Sequence, residues 1–221
     1  KALAEPDDEK IRAAFLKEQL PETTLDELRT FLEKVRYPLA VRSSSLFEDS
    51  SFQPFAGIYQ TYMIPNSDDD LEARVDELSR AIRLVYASTY SADSKSYVES
   101  TPNRLEEERM AVVIQQIVGE RHEHFLYPDA AGVARSYDFY PVKGGTPEDG
   151  VASVALGLGR MVVEGGRTVR FSPSHPNRLW QFSSTGDYLK NSQREFYALD
   201  LAKPAPVCSP SDEPHSNLAL L

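Results

Sequence analysis

Cysteine is almost absent from this chain. Cys208 is the one thiol in 221 residues, so no internal disulfide can form. A single cysteine suits a reducing compartment, and a cytoplasmic protein is expected. No His or carboxylate pattern surrounds Cys208, which reads as a bystander thiol. No apolar run approaches the roughly 20 residues that span a bilayer, and no signal peptide is visible. A cationic surplus is also missing: 24 Lys and Arg face 34 Asp and Glu, for a net charge of −10. Such a chain repels nucleic-acid backbones and anionic membranes, so neither is an expected partner. A phosphate ligand is not excluded, because a few local cations can dominate one pocket. The four histidines are scattered; His122 and His124 could share a strand face, but no third ligand is near, and no metal site is expected. The GxxxxGK[ST] phosphate loop is absent. Gly157-Leu158-Gly159 follows a strand, but lacks the third glycine and downstream acid of a dinucleotide fingerprint.

What is present is an ordinary soluble composition, 41% hydrophobic and 26% charged, long enough for one large domain or two small lobes. Residues 5–20 read as a helix that Pro21 stops, with Ile11 and Phe15, and Leu16 and Leu20, as four-apart apolar pairs. A second helix is expected from Thr24, where Thr24 and Glu27 have the spacing of a capping box. Leu25, Leu28, Phe31, Leu32 and Val35 mark its buried face. Ser67 to Asp70 reads as the cap of a long helix, not a metal site. Leu71, Val75, Leu78, Ile82, Val85 and Tyr86 form its core stripe. A further short helix is expected from Ala87 through Tyr97, and Pro102-Asn103 closes this region.

Strands are expected at Met110–Val118, Gly132–Val142 and Val151–Leu156. Gln115 and Gln116 sit side by side in the first. Successive strand residues point to opposite faces, so one of the two belongs at a wet edge or a pocket. From Thr168 to Phe182 the chain reads as extended, with Pro173 and Pro176 preventing a helix. After Ala202 the composition shifts to proline, serine and acids, a linker or peripheral segment.

The stretch from Leu39 to Tyr62 carries the densest chemistry. It opens as a short apolar strand, Leu39-Ala40-Val41, and breaks into a hydroxyl-rich turn led by Arg42. It returns through Phe55-Ala56-Gly57 into a second strand, Ile58–Ile64. A guanidinium offers a fixed fork of donors, and small residues let backbone N–H groups approach oxygens closely; both suit phosphate. The same residues also fit an ordinary hairpin with a polar connection.

Several blocks stand in order along the chain: Val41-Arg42-Ser43-Ser44 with Glu48-Asp49, Phe55-Ala56-Gly57 with Thr61, and Ala87-Ser88-Thr89-Tyr90 through Tyr97. Ala111 to Val118 with Gln115, Gly132-Val133, and Gly157-Leu158-Gly159 with Val162, Val163 and Gly165 follow. From Pro38 to Gly166 this order resembles the nucleotide-binding domain of the phosphoenolpyruvate synthase and pyruvate phosphate dikinase family. The resemblance implies an α/β (α+β) chain with an ATP-grasp-like fold, mixed sheets with flanking helices, present as a partial domain. ATP would lie between two lobes. Residues 1–37 would be a helical N-terminal segment, 38–202 the nucleotide-binding region, and 203–221 a linker or peripheral segment. Arg42 and Ser43 would belong to the phosphate-contact segment, with Arg42 on the ATP phosphates. Gly57 and Thr61 would line the hairpin over the nucleotide, and Gln115 would sit near the adenine or sugar. Arg supplies charge, Gly close approach, and Thr and Gln directed hydrogen bonds. In a full-length parent, ATP with magnesium would phosphorylate a histidine on another domain, and the phosphoryl group would pass to pyruvate held by an acceptor-binding domain.

The departures bear on activity. The family's early Gly-Gly-Lys segment, its later acidic strand ending in Leu-Gln-x-Arg, and its Thr-Ser-His-Ala histidine domain are not in this chain. Both chain ends read as cuts through a longer protein, and the fragment alone is expected to be inactive, with no catalytic residue of its own. Arg160 stands where the family has Glu, and Arg135-Ser136 where it has Phe-Thr. Arginine cannot bind magnesium. A non-catalytic nucleotide-binding or regulatory module of the same fold is therefore the alternative, as is a parent acting on another acceptor, such as a drug or a glucan.

Overall fold

The computed structural model describes residues 2–48, 57–102, 104–202 and 217–221. The readings placed on Asp49, Phe55-Ala56, Asn103, Cys208, His215 and the linker at 203–216 lie outside the described residues. The chain divides into two compact units, Lys1–Ile117 with Leu201–Asn217, and Val118–Asp200 with Leu218–Leu221.

In the first unit, α1 (Asp8–Lys17) is shorter than the expected 5–20. Asp7 caps it, accepting from the N–H groups of Glu9 and Lys10. Helix α2 (Glu22–Lys34) starts earlier than the capping box at Thr24 implied. The N–H groups of Thr24 and Leu25 donate to the Pro21 carbonyl, at 2.9 and 3.0 Å, so Thr24 lies inside the first turn. Proline, with its φ already fixed, takes the N-cap position and leads the chain into the helix. Next come β1 (Leu39–Ser45), β2 (Thr61–Ile64), α3 (Leu71–Ser88), α4 (Ala92–Glu99) and β3 (Met110–Gln116). Asp70 caps α3 and Ser91 caps α4, so Ala87 and Ser88 end the long helix and do not begin the short one.

Strand β1 lies between β2 and β3 and pairs antiparallel with both. This corrects the turn expected at Arg42. Arg42 to Ser45 continue as strand because Val113, Val112, Ala111 and Met110 of β3 pair with them in turn. Serines have weak strand preference, but a β-branched partner strand overrides it. Leu39, Val41, Tyr62 and Ile64 on one sheet face pack with Val75, Leu78, Ile82 and Val85 of α3 and with Leu28, Leu32 and Val35 around α2. Each such buried side chain stabilises the fold by about 1.5–3 kcal/mol. A charged group is buried beside this core. Arg74 is 1% exposed, and its Nη1 donates to the carbonyls of Leu32 and Val35 at 2.9 and 3.1 Å and to Asn66 Oδ1. Asn66 donates to the carbonyls of Val35 and Tyr37. The pair satisfies carbonyls at the end of α2, where a cation also suits the helix dipole. Burial, and secondarily Arg36, push the Arg74 guanidinium pKa down.

The second unit contains β4 (Glu120–His122), β5 (Phe125–Tyr127), β6 (Ala131–Arg135), β7 (Val151–Ala155), α5 (Arg160–Val163), β8 (Val169–Phe171), α6 (Thr185–Asn191), β9 (Tyr197–Asp200) and β10 (Leu218–Leu220). Its sheets have the orders β10-β9-β5-β4 and β6-β7-β8. The strand expected at Gly132–Val142 ends at Arg135, the last residue with a β7 partner. His122 stacks on Tyr127 with ring centroids 4.3 Å apart. Every strand pairing among the described residues is antiparallel. With helices segregated from such sheets, the chain is of the α+β kind.

Candidate functional site

Cross-strand partners share a sheet face, as do residues two apart on one strand. In the first unit's sheet, Arg42 is opposite Thr61 on β2 and Val113 on β3, and Gln115 is opposite Ala40. Arg42, Ser44, Thr61, Ala111, Val113 and Gln115 therefore lie on one face. It is the face turned away from α3, since Leu39, Val41, Tyr62 and Ile64 occupy the other. Directly paired positions place their Cβ atoms roughly 5 Å apart and diagonal ones roughly 7 Å apart. Arg42, Ser44 and Gln115 are exposed and Thr61 is half-buried. Among the described residues Arg42 has no hydrogen-bond or ion-pair partner. A free guanidinium beside a hydroxyl and a carboxamide can take a phosphate and two directed hydrogen bonds from one ligand.

Three of the named residues, Arg42, Thr61 and Gln115, are thus brought together. Ser43 is not. It points to the buried face, where its Oγ donates to Glu48 Oε1 at 2.8 Å. The other Glu48 oxygen accepts from the Ser45 N–H at 2.9 Å. Ser44 is the hydroxyl residue on the open face; strict alternation from Arg42 was the signal that could have found it. Gln115 and Gln116 point to opposite sides of an edge strand, and both are exposed. Gly57 sits in an exposed turn at φ +78°, a conformation that favours glycine, with open space where a Cβ would be.

A second carboxylate holds the same region. Glu108 is buried and accepts from the N–H groups of Leu46, Phe47 and Arg109, and from the Tyr59 hydroxyl. It links the exit of β1 to the segment between Gly57 and Thr61. Burial first, then the Glu108 hydrogen bond, push the Tyr59 hydroxyl well above its ordinary range, so Tyr59 stays a donor.

The Gly157-Leu158-Gly159 loop serves the fold of the second unit. The Gly157 N–H donates to the Pro128 carbonyl and the Leu158 N–H to the Tyr197 carbonyl, so neither is free for a phosphate. Arg160 pairs with Glu164 at 2.8 Å, and its guanidinium lies 4.6 Å from the centre of the Tyr197 ring. Among the described residues, no group of three or more His, Cys, Asp or Glu side chains could hold a metal ion. Arg42, Ser44, Thr61, Ala111, Val113 and Gln115 on the open face include no carboxylate that could hold magnesium. Among the described residues, too, no helix is long and apolar enough to cross a membrane.

The family profile described as pyruvate phosphate dikinase, AMP/ATP-binding domain, matches residues 2–188. The chain is also 32% identical over 148 residues to a protein of Bacillus subtilis (strain 168) named uncharacterized phosphotransferase YvkC. The aligned part is 65% of this chain and 15% of that relative's length.

Proposed function

Because the chain belongs to the pyruvate phosphate dikinase AMP/ATP-binding domain family, we propose that it is the ATP-binding part of a phosphoenolpyruvate synthase-like phosphotransferase with an ATP-grasp-like fold. ATP binds on the open face of the β2-β1-β3 sheet. Arg42 meets the phosphates, Thr61 and Gln115 direct the remaining polar contacts, and Gly57 lets its own turn approach the nucleotide. The observation that carries this reading is the convergence of Arg42, Thr61 and Gln115 on one face, with Arg42 unpaired among the described residues of a chain of net charge −10. The phosphotransferase name of the Bacillus relative supports a phosphotransferase parent; transfer from ATP to a histidine on another domain, then to pyruvate, is the route that the family resemblance implies. Positioning and charge neutralisation are what such a domain contributes to phosphoryl transfer.

A non-catalytic nucleotide-binding module is the second reading. It is favoured by Arg160, whose charge is engaged by Glu164 and Tyr197 where the family resemblance calls for a carboxylate. Titration calorimetry with Mg-ATP tests the shared part of both. The wild-type chain should bind saturably, and Arg42→Ala should weaken binding by about 1–3 kcal/mol, the cost of a lost charge-assisted contact. The melting temperature should not move, since Arg42 supports no other side chain among the described residues. Absent wild-type binding, or binding untouched by the substitution, refutes the assignment.

A further inference from the structure

Large exposed apolar side chains are distributed unevenly. Among the described residues, all but Tyr37 and Leu46 belong to the second unit. Within that unit Tyr140 and Trp180 line a groove of about 890 Å³ together with Val142, Leu179, Lys143 and Arg178. The volume is in the range of small-molecule sites. Tyr140 is 82% exposed and Trp180 60%, so two aromatic rings stand in water without a partner to cover them.

The groove's charge is opposite to that of the chain. Both charged residues that line it are cations, and no carboxylate does. Among the described residues neither Lys143 nor Arg178 has a carboxylate partner, while Arg29, Arg80, Arg160 and Arg170 all do. Arg178 is fixed in place nonetheless. Its Nη1 donates to the Lys143 carbonyl. Gly144 makes that possible: it sits at φ +84°, and a Cβ there would come within 3.0 Å of Arg178 Nη1. The turn is closed by the Gly145 N–H on the Val142 carbonyl at 2.8 Å. One end of the guanidinium is thus tied to the turn that carries Lys143, and the rest of its fork is open.

We propose that this groove binds a phosphate monoester of an aromatic alcohol, with Trp180 and Tyr140 against the ring and Arg178 and Lys143 on the phosphate. Two adjacent cations match a dianionic phosphate better than a carboxylate, and the guanidinium fork matches its oxygens. Arginine and lysine set among aromatic faces also suit a planar, electron-rich body. All the residues of this groove belong to the second unit, whereas Arg42, Thr61 and Gln115 belong to the first.

Trp180 is the single tryptophan of the chain, so its emission reports on this groove alone. Phenyl phosphate is the probe, with excitation where the phenyl ring does not absorb. The expected result is a saturable change in Trp180 emission at millimolar ligand or below. Lys143→Ala should raise the dissociation constant about tenfold, as for one lost charge-assisted bond. Arg178→Ala should do at least as much, and Arg42→Ala should change nothing. Lys143 carries the decisive test, because its side chain supports no part of the fold and its removal does not disturb the turn. Inorganic phosphate and phenol, each alone, should bind at least about tenfold more weakly than the ester, since each keeps half of the contacts. No saturable change, an equal response to phenol or to inorganic phosphate, or an unchanged constant in Lys143→Ala overturns the proposal.

Discussion

Glu108 ends the short turn before β3 with its carboxylate buried, and four donors converge on it. The Arg109 N–H is 2.7 Å from Oε1, the Leu46 N–H 3.0 Å and the Phe47 N–H 3.4 Å; the Tyr59 hydroxyl donates to Oε2. These four do not weigh equally when the carboxylate is removed. The Leu46 N–H also reaches the Arg109 carbonyl at 3.3 Å and keeps that partner. The Phe47 contact is at the long limit of a hydrogen bond. Tyr59 retains an interaction with the Ser45 side chain. The loss therefore falls mainly on the Arg109 N–H and on part of the Tyr59 bond, each a contact to a charged acceptor. Glu108→Ala is expected to destabilise the fold by about 3 kcal/mol on that basis. Glu108→Gln keeps one acceptor oxygen and should cost about 1 kcal/mol. Tyr59→Phe leaves a carboxylate oxygen short of a donor and should cost about 1–2 kcal/mol. Urea unfolding followed by far-UV circular dichroism measures all three, with the denaturant slope unchanged. The double mutant should show a coupling of about 1 kcal/mol. A cost below about 1 kcal/mol for Glu108→Ala, or strict additivity with Tyr59→Phe, refutes the clasp between the exit of β1 and the Tyr59 segment.

Two further substitutions test the fold. Burial, and then the Asp68 carboxylate, push Glu77 up to about 7 from an ordinary 4.5. The native state then binds more protons than the unfolded one between those values, so stability falls as pH rises through that window. The wild type should lose on the order of 2 kcal/mol between about pH 5 and pH 8 that Glu77→Gln keeps, and parallel stability profiles would rule this out. Gly157 is at φ +82°, and a Cβ there would lie 2.7 Å from the Tyr197 carbonyl oxygen and from the Phe196 ring. Gly157→Ala should cost about 2–3 kcal/mol in thermal unfolding; a wild-type melting temperature contradicts the close approach.

The long helix was legible because its stripe from Leu71 to Tyr86 has the period of the helix itself, and Asp70 offers a cap wherever it sits. Helix α6 and strands β4, β5 and β9 were not. They are short, and β9 exists through pairing with β5 and β10, which are distant in sequence. The capping box at Thr24 failed because a local motif competes with its neighbours, and Pro21 was already in the cap position.

The order of small blocks in the sequence determined the family, and with it the candidate residues Arg42, Ser43, Gly57, Thr61 and Gln115. Residue type was enough there, because a phosphate calls for a fixed cation and small neighbours wherever the chain puts them. Which of those residues can serve one ligand was decided only by tertiary structure. The register of β1 against β2 and β3 places Arg42, Thr61 and Gln115 on the open face and turns Ser43 inward to Glu48. A strand alternates its faces at every residue, so the side that meets solvent is set by the helix packed on the other side, and that helix is remote in the chain.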